Sequence, residues 1–251
     1  MIKIKICGIK SCEDAKVCID NGVDIIGIIV GSNNVDSISP ELAKEICEYV
    51  DGRGNVSLVT RLESAEDIVR LTKYIGNDII QLHSNILESE VEKIVKELPD
   101  IKIVRVIQIT KDGTINNDIS NIVYADWYLL DSYDYNNDEF GGTGTVHDWQ
   151  LSRNIIDILD RPAFLTGGLN PYNVMDAIKI TNPYGVDINS GCKNELGFKD
   201  YNKVKQFVEN VNIIDRELEI SNKDNIEEDD QDEDEVDFDY EDEIDIDEDL
   251  N

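Results

Sequence analysis

The sequence contains few cysteine and histidine residues, and neither type is arranged as a metal site or a disulfide framework. Five cysteines stand at positions 7, 12, 18, 47 and 192. They include no CxxC pair and their number is odd, so we predict reduced thiols rather than disulfides or a structural zinc site. The two histidines, His83 and His147, lie too far apart in sequence for a metal-binding motif. We therefore assign no metal.

Long apolar runs and an excess of basic residues are also absent. No stretch of about 18 apolar residues occurs, and the start of the chain lacks the apolar segment of a signal peptide. We therefore expect a cytoplasmic protein that does not bind a membrane. The chain has 54 Asp and Glu against 23 Lys and Arg, a formal net charge of −31, which argues against a nucleic-acid partner.

The negative charge is concentrated at the end of the chain. Of the 54 acidic residues, 21 lie between Asp215 and Asn251, where Arg216 and Lys223 are the only basic residues. This segment has few apolar residues to bury, so we predict a folded domain over residues 1–213 and a disordered acidic tail over residues 214–251. The tail either docks on a basic partner or is simply solvated, and the sequence leaves both open.

Strand and helix patterns alternate eight times before the tail begins. The run 23–30 is nearly all apolar, as in parallel strands buried on both faces, and Ser11 and Ser39 are placed to cap the helices that follow them. The weakest predicted helix is the polar segment 115–123, and the last one spans 200–211. The alternation predicts a single α/β domain, a closed (β/α)8 TIM barrel, with a doubly wound sheet as the alternative.

Five residues with reactive or hydrogen-bonding side chains stand at the ends of predicted strands. The carboxyl ends of all barrel strands share one rim, so we expect these side chains to meet there. Three of them also have an ordinary explanation: a small buried apolar residue for the cysteine, a cap or loop brace for the aspartate, and a structural role for the histidine. The aspartate is equally suited to be a general acid, because the apolar strand before it can raise a carboxyl pKa. The five residues are Cys7, His83, Asp131, Thr166 and Ser190.

Glycine-rich turns follow the seventh and eighth predicted strands. The first contains Gly167 and Gly168, and the second contains Ser190 and Gly191. Barrels commonly bind a phosphate group at this place, through backbone N–H groups and a helix N-terminus. Tight turns without a ligand would explain each turn separately but not their joint position. A third cluster, Gly141-Gly142-Thr143-Gly144, lies in the longest loop and is either an anion-binding segment or a flexible one.

Six motifs occur together in one order along the chain. They are Lys5-Ile6-Cys7-Gly8-Ile9, Gln81-Leu82-His83, Leu129-Leu130-Asp131-Ser132, Gly141-Gly142-Thr143-Gly144 with Asp148-Trp149, Leu165-Thr166-Gly167-Gly168-Leu169-Asn170-Pro171, and Val186-Asp187-Ile188-Asn189-Ser190-Gly191. In order and spacing the chain resembles the phosphoribosylanthranilate isomerase family of tryptophan biosynthesis, over residues 1 to about 211.

The resemblance implies a (β/α)8 barrel that carries out an Amadori rearrangement without a cofactor or metal. Its substrate would be a phosphorylated small molecule, N-(5-phosphoribosyl)anthranilate, and its product 1-(2-carboxyphenylamino)-1-deoxyribulose 5-phosphate. By the same resemblance, Asp131 is the general acid that protonates the ribose ring oxygen, and Cys7 is the general base that removes a proton from the second ribose carbon. The implied substrate-binding residues are His83 and Asp187 near the reacting sugar, Gly142 in the long loop, and Gly167, Gly168, Ser190 and Gly191, of which the last four would contact the phosphate.

The division of labour between Cys7 and Asp131 also makes chemical sense. Ring opening needs a proton donor and the next step needs a base, so two groups with separated pKa values are required. A thiol with an unperturbed pKa of about 8.5 is mostly protonated at pH 7, so Cys7 would need local activation. Lys5, on the same face of the predicted strand, and the nearby predicted phosphate site are the candidates for that role.

One position departs from the family's pattern in a way that affects the substrate. The family has an arginine in the loop after the second strand, where it holds the anthranilate carboxylate, whereas this chain has Asp36. A carboxylate would repel another carboxylate. Either Arg61 or Arg105 replaces the missing charge, or the chain is a divergent barrel that binds another sugar phosphate or serves as a scaffold through its tail. The smaller departures are Ser84, His147 and the pair Cys192-Lys193. The sequence leaves open whether the protein is a monomer or a homodimer.

Overall fold

The computed structural model describes residues 1–110, 114–115, 119–134, 139–140 and 148–232, and for residues 133–134, 139–140 and 222–232 it describes the backbone alone. The chain divides into two units, Met1–Asp215 and Arg216–Asn251. All the described strands belong to the first unit and form one sheet. The described part of the second unit is helical.

The described residues form nine strands, seven helices and one short 3-10 turn. The strands are β1 Lys3–Ile6, β2 Ile25–Ile29, β3 Asn55–Thr60, β4 Ile79–Leu82, β5 Lys102–Thr110, β6 Trp127–Asp134, β7 Glu139–Phe140, β8 Ala163–Leu165 and β9 Gly185–Ile188. The helices are α1 Cys12–Asp20, α2 Pro40–Val50, α3 Ala65–Ile75, α4 Glu88–Glu97, α5 Trp149–Ile158, α6 Val174–Thr181 and α7 Tyr201–Asp232. The 3-10 turn is Ser190–Cys192. Among the described helices, none combines the length and apolarity that a membrane crossing requires.

Eight of the nine strands form a closed parallel barrel. Their order around the barrel is β1-β2-β3-β4-β5-β6-β8-β9, and β9 pairs with β1 to complete the circle. The short strand β7 pairs antiparallel with the end of β6 and takes no part in the closure. The predicted (β/α)8 barrel is therefore confirmed. The doubly wound alternative is wrong, because the sheet closes on itself.

The burial pattern explains how the strands deliver side chains to the rim. Strand β2 is buried along its whole length, as expected of a parallel strand covered on both faces. On β1, Ile6 is fully buried and lies in register with Ile26 on β2 and Ile188 on β9. Cys7 follows Ile6 directly, so the end of β1 places the thiol at the carboxyl rim of the barrel.

The helix caps predicted from the sequence are confirmed. The Ser11 hydroxyl accepts a hydrogen bond from the N–H of Asp14 at 3.1 Å, and the Ser39 hydroxyl accepts one from the N–H of Leu42 at 3.2 Å. Both N–H groups lie in the first helical turn, where no backbone acceptor is available. Pro40 occupies the start of α2, where its missing N–H costs nothing.

The segment between β5 and β6 differs from the prediction of a helix over 115–123. Its described residues contain no helix, and Ile115 instead forms an antiparallel bridge with Ile109. The sequence here is rich in Asn and Asp, whose side chains compete with helical hydrogen bonds. Seven of the eight predicted strand and helix units are therefore complete in the described part of the chain.

The last helix is longer than predicted. We expected it to end at residue 211, but α7 continues to Asp232. Phe207, Val211 and Ile214 are fully buried on it, and the residues that follow include strong helix formers such as Glu and Leu. The helix therefore includes residues 214–232, the first part of the predicted disordered tail. The rest of that prediction, residues 233–251, lies outside the described residues.

Candidate active site

A cavity of about 460 Å³ opens at the carboxyl ends of the barrel strands. Asp187, on β9, lines this cavity, and so do all five residues that the sequence predicted to meet at the rim. The five are Cys7, His83, Asp131, Thr166 and Ser190. Gly142, also predicted to bind substrate, lies outside the described residues. Among the residues that the structure describes, no group of three or more His, Cys, Asp or Glu side chains could hold a metal ion.

A buried ion pair lies at the base of the cavity. The Nζ of Lys5, on β1, donates to Oδ2 of Asp187 on β9 at 2.6 Å, and the side chains are 3% and 4% exposed. Burial lowers the pKa of Lys5, but the negative charge of Asp187 and the thiolate form of Cys7 raise it overall. Lys5 is therefore a positive charge held beside the thiol. The other carboxylate oxygen of Asp187, Oδ1, has no hydrogen-bond partner among the described residues.

The Cys7 side chain is buried, with 8% of its surface exposed. Gly27 on β2 leaves room for it, because a Cβ at position 27 would lie 2.9 Å from the sulfur. Burial raises the pKa of Cys7 above its ordinary value, while the positive charges of Lys5 and Lys199 lower it and Asp187 raises it further. Burial prevails, so the thiol form predominates at neutral pH.

Asp131 is a buried carboxyl on β6, which is separated from β1 by β9 and β8. Burial, with the negative charge of Asp187 as a second cause, raises the pKa of Asp131 to about 7. The backbone N–H of Ser132 and the charge of Lys5 act in the other direction but do not cancel this effect. At neutral pH a large fraction of the Asp131 carboxyl groups therefore carries a proton, as a general acid requires.

His83 is a neutral neighbour of Asp131. Its Nε2 lies 3.6 Å from Oδ2 of Asp131, which is longer than a hydrogen bond. Burial, together with the positive charges of Arg61 and Lys5, lowers the pKa of His83 to about 4. An uncharged imidazole gives the Asp131 carboxylate no ionic stabilisation, which is consistent with the raised pKa of that carboxyl.

The two glycine-rich turns meet at the rim, as their joint position in the sequence predicted. Gly167 and Gly168 have φ values of +92° and +65°, which favour glycine. A Cβ at Gly191 would lie 2.2 Å from the carbonyl oxygen of Leu169, so the second turn packs directly on the backbone of the first. The side chain of Asn173 donates to the carbonyl of Gly168 at 3.0 Å and braces the first turn. Backbone N–H groups of two turns can therefore converge on one anion.

Asp36 is buried and surrounded by positive charge. The Nζ of Lys193 donates to its Oδ2, the Nδ2 of Asn189 donates to the same oxygen at 3.0 Å, and the Nζ of Lys10 lies 3.4 Å from Oδ1. Burial alone would raise the pKa of Asp36, but the hydrogen bonds and the two lysine charges lower it overall. Asp36 is therefore an ion-paired part of the cavity wall rather than an isolated negative charge.

The two arginines considered as substitutes for the missing charge differ in position. Arg61 lines the cavity. Arg105 forms a buried ion pair with Glu88 and does not line the cavity. Sequence reasoning missed the role of Lys193, whose only signal was its place just after Ser190 and Gly191. It also missed Lys199, because its contact with Asn189 depends on the fold.

Comparison with known sequences identifies the family. The sequence profile of PRAI, N-(5'phosphoribosyl)anthranilate (PRA) isomerase, matches residues 4–210. The chain is also similar to N-(5'-phosphoribosyl)anthranilate isomerase 2 of Methanosarcina mazei. The two sequences are 41% identical over 209 residues, which cover 82% of this chain and 92% of the relative.

Comparison with solved structures gives the same result. The N-(5'-phosphoribosyl)anthranilate isomerase from Pyrococcus furiosus matches with a TM-score of 0.70 at 29% identity, over 84% of this chain and 98% of that one. A phosphoribosyl anthranilate isomerase in complex with reduced 1-(o-carboxyphenylamino)-1-deoxyribulose 5-phosphate matches with a TM-score of 0.67 at 26% identity, with the same coverage. From its sequence, its barrel and its rim, this chain belongs to the N-(5'-phosphoribosyl)anthranilate isomerase family.

Proposed function

We propose that this chain converts N-(5'-phosphoribosyl)anthranilate to 1-(2-carboxyphenylamino)-1-deoxyribulose 5-phosphate by an Amadori rearrangement, a step of tryptophan biosynthesis. The observation that carries the proposal is the convergence of Cys7 and Asp131 on one cavity in a chain of this family. The rearrangement requires only proton transfers from the protein, so an acid and a base in one pocket are sufficient. We keep the expectation that no cofactor takes part.

Asp131 is the general acid in this proposal. Its pKa of about 7 leaves a large protonated fraction at neutral pH. The proton passes to the ribose ring oxygen, and the bond from that oxygen to the first ribose carbon breaks. The lone pair of the anilino nitrogen then forms a C=N bond to the same carbon. Neutral His83 faces the reacting sugar beside this acid.

Cys7 is the general base. Its thiolate removes the proton from the second ribose carbon, and the electron pair of that C–H bond becomes the C=C bond of an enolamine. Protonation of the first carbon and loss of the hydroxyl proton from the second then give the ketone product. Lys5 supports the thiolate with its charge, while its ion pair with Asp187 fixes the ammonium group in place.

The pKa shifts have a consequence for the populations of the catalytic pair. The pKa of Asp131 is about 7, and burial raises that of Cys7 above its ordinary value. The active form has a proton on Asp131 and none on Cys7, which is the minor one of the two singly protonated forms. Because burial raises the pKa of Cys7 above its ordinary value, the form with the proton on Cys7 predominates over the active form. The proposed chemistry therefore uses the less populated of the two singly protonated forms.

Two regions of the cavity, together with the glycine-rich turns beside it, match three parts of the proposed substrate. Of the four predicted phosphate-binding residues, Ser190 alone is among the residues that line the described cavity. Gly167, Gly168, Ser190 and Gly191 bind the phosphate through the converging turns, and Asp187 faces the sugar. The buried apolar residues Ile29 and Val59 pack beside Cys7 and provide a surface for the aromatic ring. Gly142 remains a predicted substrate-binding residue from the sequence.

Turnover by the purified protein tests the proposal. The substrate, generated in situ, is fluorescent, so its conversion can be followed by loss of fluorescence, and complementation of a tryptophan auxotroph lacking this step is the independent test. No turnover and no complementation would reject the proposal. The competing hypothesis of a divergent sugar-phosphate barrel or scaffold was motivated by Asp36 and the acidic tail, and the ion pairs of Asp36 weaken the first of these two supports. Cytoplasmic location and a monomeric or homodimeric state remain predictions.

A further inference from the structure

The substrate of the proposed function carries a second anion besides its phosphate, the carboxylate on the aromatic ring. This inference rests on that proposed function. The glycine-rich turns provide for the phosphate, so the carboxylate requires a cation elsewhere in the cavity wall. The resemblance to the family would place that cation at position 36, where this chain has an aspartate.

Two cationic side chains line the cavity among the described residues, Lys193 and Arg61. The Lys193 side chain is 15% exposed and is fixed by its ion pair with Asp36. Asp36 is the only acceptor of Lys193 Nζ among the described residues, so the ammonium group keeps N–H donors for a ligand. Arg61 lies at the end of β3 and acts electrostatically on His83, next to the general acid.

The positive charge around Asp36 exceeds what Asp36 alone can balance. Lys10 and Lys193 both pair with this one carboxylate, at Oδ1 and Oδ2 respectively. Lys10 does not line the cavity, and its Nζ lies 5.0 Å from the centre of the Phe198 ring. Lys199 donates to both oxygens of Asn189, whose amide in turn donates to Asp36. Asp36 is thus paired with Lys10, which does not line the cavity, and with Lys193, which does. The charge of Lys193 is therefore available to a ligand in the cavity.

The neighbours of Lys193 suit a carboxylate on an aromatic ring. The loop Ser32–Asp36 and the residues Asn189, Ser190 and Lys193 line the same cavity as Ile29 and Val59. An aromatic ring on the apolar pair would have its carboxylate near the polar loop. We propose that Lys193, positioned by Asp36, binds the carboxylate of the substrate. In this chain the cation is on the turn after β9 and the acid that fixes it is on the loop after β2.

A comparison of two ligands tests this proposal. The first is reduced 1-(2-carboxyphenylamino)-1-deoxyribulose 5-phosphate, and the second is the same compound without the carboxyl group. Calorimetry gives the affinity of each for the full chain and for Lys193→Met, with Arg61→Met as the matched control. We expect the full chain to prefer the carboxylate ligand by about 10- to 100-fold, since the contact is charge-assisted. Lys193→Met should lose most of this preference and Arg61→Met should keep it.

A second variant guards against misfolding. Lys193→Met leaves the buried Asp36 with one lysine fewer, so we also use Asp36→Asn with Lys193→Met, which removes the carboxylate and the lysine charge together. This double variant should also lose the preference, and Lys193→Arg should retain a large part of it. Inorganic phosphate should bind the full chain and Lys193→Met with the same affinity.

Four results would overturn the inference. The first is that Lys193→Met keeps the preference while Arg61→Met loses it. The second is an equal loss of affinity for both ligands and for inorganic phosphate, which would assign Lys193 to the phosphate. The third is a full chain that converts substrate but does not prefer the carboxylate ligand, in which case the proposed function stands. If the full chain binds neither ligand and shows no turnover, the proposed function itself is wrong, and the inference with it.

Discussion

Cys7 shows how a single residue can combine two opposing requirements. Burial beside Ile29 and Val59 keeps water away from the thiol but also disfavours its charged form. We expect Cys7→Ala to lower kcat by about 10²- to 10⁴-fold, the usual contribution of a general base. Affinity for the reduced product analogue should be nearly unchanged, because the phosphate turns are not altered. Steady-state kinetics and calorimetry measure the two effects, and Cys7→Ser should be similarly slow because a hydroxyl is a much poorer base.

The pair of Cys7 and Asp131 predicts a particular pH dependence. Between the two pKa values one proton remains on the pair, and a fixed small fraction of this form has that proton on Asp131. We expect kcat/KM to rise as the pH passes about 7, where the doubly protonated enzyme loses a proton, mostly from Asp131. It should fall at alkaline pH, beyond the raised pKa of Cys7, when both protons are gone. A kcat/KM that already falls through pH 7 would contradict the assignment of the lower pKa to Asp131 and the higher one to Cys7.

The pH dependence of Cys7 alkylation provides an independent measurement of the same pKa. Iodoacetamide reacts with the thiolate, and mass spectrometry of the peptide that contains Cys7 separates it from the other four cysteines. The alkylation rate should still be rising at pH values where an ordinary thiol is fully ionised. A plateau at or below neutral pH would show an activated thiolate instead.

At the level of structural elements, the contact between the two glycine-rich turns leads to the clearest prediction. A Cβ at Gly191 would lie 2.2 Å from the Leu169 carbonyl oxygen, so Gly191→Ala must push the turns apart. We expect at least tenfold weaker binding of the reduced product analogue, because several N–H donors would move away from the phosphate. Gly54→Ala is the matched control, since its nearest contact would be an ordinary 3.7 Å. Equal affinities of the two variants would reject the phosphate-binding role of the turns.

Strand β1 carries two lysines that allow a controlled comparison of ion pairs. Lys5 pairs with Asp187 in the interior, whereas Lys3 pairs with Asp24 at 2.8 Å with side chains that are 38% and 29% exposed. Lys5→Met leaves a buried carboxylate without its partner, which should cost about 3–5 kcal/mol in the free energy of unfolding. Lys3→Met should cost less than about 1 kcal/mol. Urea unfolding monitored by circular dichroism measures both, and similar losses would show that the Lys5 pair is not a special feature of the site.

At the scale of the whole molecule, we assign no catalytic or substrate-binding role to the acidic end of the chain. Every residue that we assign to the site precedes Asp215, which accepts a hydrogen bond from the N–H of Ile2 at 3.0 Å. We expect a chain that ends at Asp215 to keep its kcat/KM roughly unchanged, because the barrel unit retains its internal contacts. Turnover of the full and shortened chains under the same salt conditions tests this. A large loss in the shortened chain would give the tail a part in catalysis and favour its use as a docking segment.

The barrel could be predicted from the sequence because its signals are local. Apolar strands and capped helices such as those that begin after Ser11 and Ser39 repeat along the chain, and closure follows from their number. The gathering of Cys7, His83 and Asp131 followed from the strand ends alone. The lack of a helix among the described residues between β5 and β6 could not be predicted in this way, because local preferences in this segment are weak.

The state of Asp36 could not be predicted from the sequence at all. Its partner Lys193 is 157 residues away, and only the fold brings the loop after β2 to the turn after β9. For the same reason the effect of burial on the pKa of Cys7 became visible only in the barrel, whereas the apolar strand before Asp131 already indicated a raised carboxyl pKa. Sequence reasoning thus identified the groups, whereas the balance of charges around them depended on tertiary contacts.

The most direct test of the central claim uses substrate labelled with deuterium at the second ribose carbon. In our account the full chain removes this deuterium during turnover, with a slower rate than for the unlabelled substrate, and releases it to solvent as product forms. Cys7→Ala should leave the label in place while it still binds the reduced product analogue. Loss of the label from Cys7→Ala at the rate of the unmodified protein would contradict the assignment of Cys7 as the base.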